Sequence, residues 1–125
     1  KEKLGAEKDR YIYAPYFFTE DASTYIRSAS VIISRAGAHS VYELMVLKKK
    51  AVLIPISWVS HNEQFLNAKL AEKQIGSFVL EEKDLSPENL YQSIMTLVKQ
   101  PVVIPTLKLE INAANKIANI IRQSI

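Results

Sequence analysis

Short apolar runs and segments with helical spacing alternate along this chain. Tyr11 to Tyr16 reads as a short strand. Asp21 to Ala29 then places Ala22, Tyr25, Ile26 and Ala29 on one helical face. Val31 to Ser34 is an apolar run of strand length, and His39 to Leu47 has helical character. Ala51 to Ile56 is apolar throughout, as a parallel strand buried on both faces must be. His61 to Gln74 reads as a helix stopped by Gly76, with a fourth strand over Ser77 to Leu80. Ser86-Pro87-Glu88-Asn89 carries a serine cap, a proline in the first turn and an acid near the amino end. It predicts a helix running to about Lys99. After Pro105, Ile111, Ala114, Ala118, Ile121 and Ile125 fall on one stripe of a last helix. Strands alternating with helices at this rhythm predict an α/β fold: a Rossmann-like parallel sheet flanked by helices and joined by right-handed crossovers. Ligands of such sheets sit at the carboxyl ends of the strands, where the turns Ser34–Glu43 and Ser57–Gln64 lie.

The first of those turns is the most informative. Val31-Ile32-Ile33-Ser34 gives way to Arg35-Ala36-Gly37-Ala38-His39-Ser40 and then to Val41-Tyr42-Glu43-Leu44, a strand, a tight glycine turn and a helix. That order aims free backbone N–H groups and the positive end of a helix dipole at whatever occupies the strand end, most commonly a phosphate. Gly37 serves either a turn that excludes Cβ or the close approach of a ligand. Ser40 and Glu43 form the S-x-x-E pattern of a capping box, or else a carboxylate placed to accept both hydroxyls of a ribose. Arg35 is a surface charge or a diphosphate contact. Gln64 and Asn67, three apart, share a helical face and suit sugar hydroxyls, although helix openings are polar in any case. Trp58 covers a ligand or anchors its loop.

Composition narrows the class. The 125 residues make a single domain with room for a core, short for a complete two-substrate enzyme. Sixteen lysines and arginines against 13 acids leave a net charge of +3, with a pI near 9.1. That excess suits an anionic ligand or membrane surface. It is too small and too scattered for nucleic acid, and its one tight cluster, Lys48-Lys49-Lys50, falls between a helix and a strand. The absence of cysteine excludes disulfides and thiolate zinc sites. His39 and His61 have no metal-ligand spacing, so no metal is expected. A nucleophile with its base, or a glycosidase-type carboxylate pair, is not evident. The longest apolar stretch, Ala51 to Val59, is broken by Pro55 and Ser57 and is too short to span a bilayer. The charged start without methionine or an apolar run reads as part of something longer.

Three segments in fixed order, V-I-I-S-R-A-G-A-H-S-V-Y-E-L, A-V-L-I-P-I-S and H-N-E-Q-F-L-N-A-K, resemble the C-terminal donor-binding domain of the MurG family. That family comprises bacterial transferases of GT-B architecture that move N-acetylglucosamine from UDP-N-acetylglucosamine onto lipid I, giving lipid II for peptidoglycan. The resemblance, over about Tyr11 to Leu97, implies that Glu43 binds the ribose hydroxyls of UDP. It implies that Ala38, His39 and Ser40 offer backbone amides and a hydroxyl to the diphosphate, with Arg35, Gly37, Val41 and Tyr42 around them. Gln64 and Asn67 would hold the sugar. Pro15-Tyr16-Phe17-Phe18 matches the segment that reads uracil, with Phe18 as the contact. No cofactor is implied beyond the donor substrate itself. The resemblance further implies a metal-independent inverting transfer and a peripheral place on the cytoplasmic face of the inner membrane. Lipid I would be met through an N-terminal domain that these residues do not contain. The family's glycine-rich phosphate loop is likewise not found before Tyr11. Residues 1–125 therefore read as one partial domain, expected to bind donor weakly and to turn nothing over alone. The alternative is a non-catalytic nucleotide-sugar-binding subunit needing a separate membrane-anchored partner, as in dolichol-linked chitobiose synthesis.

Overall fold

The structure, a computed structural model, describes residues 10–58, 62–104, 106 and 112–123. Helix α1 (Thr19–Ser28) precedes strand β1 (Ile32–Ser34), helix α2 (Ala38–Leu47), strand β2 (Ala51–Leu53), helix α3 (Glu63–Ile75) and strand β3 (Phe78–Val79). A 3₁₀ turn at Glu82–Asp84, helix α4 (Pro87–Lys99) and helix α5 (Ala113–Gln123) complete the order. The sheet is parallel throughout, in the order β1-β2-β3. Ile32 lies opposite Ala51, Ser34 opposite Leu53, and Leu53 opposite Val79. The α/β class expected from the sequence is the one observed.

The central strand explains the layering. Ala51, Val52 and Leu53 are fully buried, and alternate side chains leave opposite faces of a strand. Ala51 and Leu53 join Ala36, Val41, Leu44 and Met45 with Ala68, Ala71 and Ile75 of α3 in one core cluster. Val52 and Ile54 pack on the other face with Leu80 and Leu97 of α4. The uninterrupted apolar run of β2 is thus the signature of a strand covered on both sides.

Several expected bounds move. Residues 11–16 form no strand. Their aromatic content raises strand propensity, but Tyr11, Ile12, Tyr13 and Tyr16 stand exposed, and β1 has no neighbour on its outer edge among the described residues. Strand β2 stops at Leu53, two residues before Pro55, which has no N–H for a ladder. Helix α2 starts one residue earlier than expected, with Gly37 at its N-cap. Ser86 caps α4 as its sequence requires, its hydroxyl accepting from Asn89 N–H at 3.1 Å. Of the stripe expected on the last helix, Ile111 and Ile125 lie outside the described residues. Helix α5 buries no residue, and Ile117, Ile120 and Ile121 are exposed on it.

Two of the three clustered lysines are structural. Lys49 Nζ donates to the carbonyls of Arg27 and Ala29 at the end of α1, and Lys50 Nζ to those of Leu97 and Gln100 at the end of α4. Cations here satisfy carbonyls that a helix leaves open at its carboxyl end. At the end of α3, Gly76 takes a left-handed φ of 66°, and Gln74 Oε1 accepts from both N–H and Oγ1 of Thr106 at 3.1 Å.

Candidate functional site

The carboxyl ends of all three strands open on one rim, and the residues singled out in the sequence gather there unevenly. Beyond β1, Arg35, Ala36 and Gly37 turn the chain into α2. The first helical bond runs from Val41 N–H to Gly37 O at 2.9 Å, and no side chain caps the helix. Ala38, His39 and Ser40 therefore hold N–H groups without hydrogen bonds among the described residues. The capping box does not form: with Gly37 as N-cap, Ser40 is the third helical residue and Glu43 the sixth, too far along to reach the cap amide. Glu43 is exposed instead, on a shallow groove of about 270 Å³ that it lines with Tyr42, Val46, Leu47, Ser23 and Arg27.

Gly37 has an ordinary φ of −65°, and a Cβ built there meets nothing within 4 Å. Among the described residues neither the backbone nor the packing demands glycine at that place, so the bare approach to the three amides is left open. Val41 is different: its side chain is buried in the core and its N–H is already used, which leaves it no group for a ligand.

Helix α3 reaches the same rim. Asn67 Nδ2 donates to Ala36 O at 3.2 Å and so ties α3 to the Arg35–Gly37 turn. Gln64 Oε1 accepts from Ile56 N–H at 3.1 Å, holding the segment after β2. Both amides thus have a structural contact that the sequence pattern did not disclose. Gln64 Nε2 and Asn67 Oδ1 carry no hydrogen bond among the described residues.

Arg35 is tied down although its side chain is half exposed. Its Nη1 donates to Glu82 Oε1 at 2.8 Å and to Ile54 O at 3.3 Å. Glu82 Oε2 also accepts from Ser57 Oγ at 3.1 Å and from Ser57 N–H at 3.4 Å. The Arg35 hydrogen bond above all, and that of the Ser57 amide, hold the Glu82 carboxyl below its ordinary value of 4.5. Sequence reasoning missed Glu82 and Ser57, because a pair 47 residues apart leaves no mark in spacing. Ser57 and Glu82 line a cavity of about 430 Å³ together with Pro55, Ile56, Asn62, Phe65 and Lys83. Phe18 lies apart from these contacts, at the N-cap of α1, highly exposed with its ring edge-on to Tyr16. Trp58 is exposed too. No group of three or more histidines, cysteines or acids able to hold a metal ion occurs among the described residues.

An uncapped helix terminus beside an arginine thus lies at the carboxyl rim of a parallel sheet, the edge at which α/β domains of this class take their ligands. Residues 1–123 match the family model of the glycosyltransferase family 28 C-terminal domain, and the chain belongs to that family. The match extends on both sides of the Tyr11–Leu97 stretch that carries the resemblance.

Curated relatives agree. The UDP-N-acetylglucosamine–N-acetylmuramyl-(pentapeptide) pyrophosphoryl-undecaprenol N-acetylglucosamine transferase of Clostridium kluyveri is 36% identical over 127 residues, covering 98% of this chain and 35% of that protein. The enzyme of the same name from Acetivibrio thermocellus is 39% identical over 99 residues, 78% of this chain and 26% of its own length. That of Clostridium tetani is 41% identical over 86 residues, 68% of this chain and 24% of its own. The chain therefore spans about a third or less of the relatives it matches. No solved structure matches it.

Proposed function

We propose that these residues are the donor-binding part of a hexosyltransferase that takes N-acetylglucosamine from UDP-N-acetylglucosamine and, in the full-length protein, delivers it to lipid I to form lipid II. The supporting observation is Gly37: a glycine that the described residues do not require, placed beside three helix amides unpaired among them, in a member of a glycosyltransferase family. The names of the relatives supply the donor and the acceptor.

In this reading the diphosphate lies over Gly37 against the amides of Ala38, His39 and Ser40, with the Ser40 hydroxyl and Arg35 beside it. Glu43 accepts the ribose hydroxyls, Phe18 meets the uracil, and Tyr42 lies on the helical wall with Val41 buried behind it. Gln64 Nε2 and Asn67 Oδ1, their other amide atoms already engaged, offer one donor and one acceptor to the hexose. The acceptor hydroxyl attacks the anomeric carbon and passes its proton to a base outside these residues. The electrons of the breaking carbon–oxygen bond leave on the β-phosphate of UDP. Helix amides and Arg35 stabilise the charge that develops there without having to reorganise. The full-length protein would act at the cytoplasmic face of the membrane as a peripheral protein. No helix among the described residues is long and apolar enough to cross one.

The test is calorimetric titration of the chain with UDP-N-acetylglucosamine, UDP and GDP-mannose. Saturable binding of the two uridine ligands, and none of GDP-mannose, is the expected result. Equal binding of all three, or none at millimolar ligand, rejects the proposal.

A further inference from the structure

Glu82 gathers groups from the ends of all three strands. It follows β3 itself, takes Arg35 from beyond β1 on one oxygen, and takes Ser57 from beyond β2 on the other. Arg35 spends only one nitrogen on this arrangement, Nη1, shared between Glu82 and the Ile54 carbonyl. Its Nε and Nη2 hold no hydrogen bond among the described residues. A guanidinium pinned along one edge presents its remaining N–H groups as a fixed fork, the geometry that suits phosphate oxygens.

We infer that Glu82 is a positioning residue for the donor diphosphate: it sets the plane of Arg35 beside the Gly37 turn and anchors, through Ser57, the loop after β2 on the same rim. The inference rests on the reading that a diphosphate sits at the amino end of α2. A bare charge argument predicts the opposite, since a carboxylate near the site repels an anion and its removal would free the positive charge of Arg35. The sign of one measurement therefore separates positioning from simple electrostatics.

Glu82→Gln, compared with the parent chain in titrations with UDP and with uridine, is the experiment. Positioning predicts roughly tenfold weaker UDP binding with uridine affinity unchanged. Arg35→Ala should lose at least as much for UDP, and adding Glu82→Gln to it should cost nothing more. UDP binding that is unchanged or tighter in Glu82→Gln overturns the inference. So does an equal loss for uridine and UDP, which would mark a structural role, or a full additional loss in the double variant. Glu43→Ala serves as the separate control: if it leaves UDP affinity intact, the donor-site reading fails, whatever Glu82 does.

Discussion

Replacing Glu43 by alanine separates binding from stability, because this carboxylate has no partner in the fold among the described residues. It is exposed, it lies sixth in a ten-residue helix whose cap is Gly37, and it makes no hydrogen bond or ion pair among the described residues. Alanine is at least as good a helix former, so the stability change should stay within about 0.5 kcal/mol. For a domain of this size that is a shift in Tm of about 1–4 °C. A carboxylate accepting two ribose hydroxyls contributes far more to a complex, about 1.5–3 kcal/mol, which corresponds to about 10- to 150-fold in Kd. Calorimetric titration with UDP, alongside a thermal melt followed by circular dichroism, reads both quantities on one sample. A variant that melts with its parent yet binds UDP at least tenfold more weakly agrees with the reasoning. Unchanged UDP affinity together with a large drop in Tm would refute it, and would mean that Glu43 supports the helix rather than a ligand.

Two further outcomes follow from the hydrogen bonds at the rim. Gln64→Ala should weaken UDP-N-acetylglucosamine more than UDP, and by leaving Ile56 N–H without its acceptor should cost about 1–3 kcal/mol in stability; an equal loss for both ligands in titration counts against a sugar contact. The Glu82 carboxyl is held below its ordinary value of 4.5, so between the two values the unfolded chain binds more protons than the native one and stability rises with pH. The difference in Tm between the parent and Glu82→Gln should therefore be fully present above pH 4.5 and fade as the pH falls below it, and a difference that persists unchanged in strong acid speaks against the pair.

What could be read from the residues alone was whatever is written locally. The buried central strand, the alternation of strand and helix, the Ser86 cap and the glycine stop of α3 each follow from a short stretch of sequence. The segment 11–16 looks like a strand through its aromatics, whereas a strand exists only by pairing, and these residues pair with none among the described residues. The capping box was a fair alternative that failed by geometry: a start one residue earlier gave the cap to Gly37. At the site, the pattern pointed to Arg35, Gln64 and Asn67 but not to their partners. Ala36, Ile56 and Glu82 are joined to them by folding, across separations of 31, 8 and 47 residues.

The two fastening lysines give the domain a built-in polarity. Ammonium groups plug helix ends at the floor of the sheet, while the opposite edge keeps its amide hydrogens unspent, so most of the basic run at 48–50 is consumed internally and is not a surface for polyanions. A chemical change that strips the charge from Lys49 or Lys50, acetylation for instance, would unplug α1 or α4 from beneath and leave the carboxyl edge of the sheet untouched.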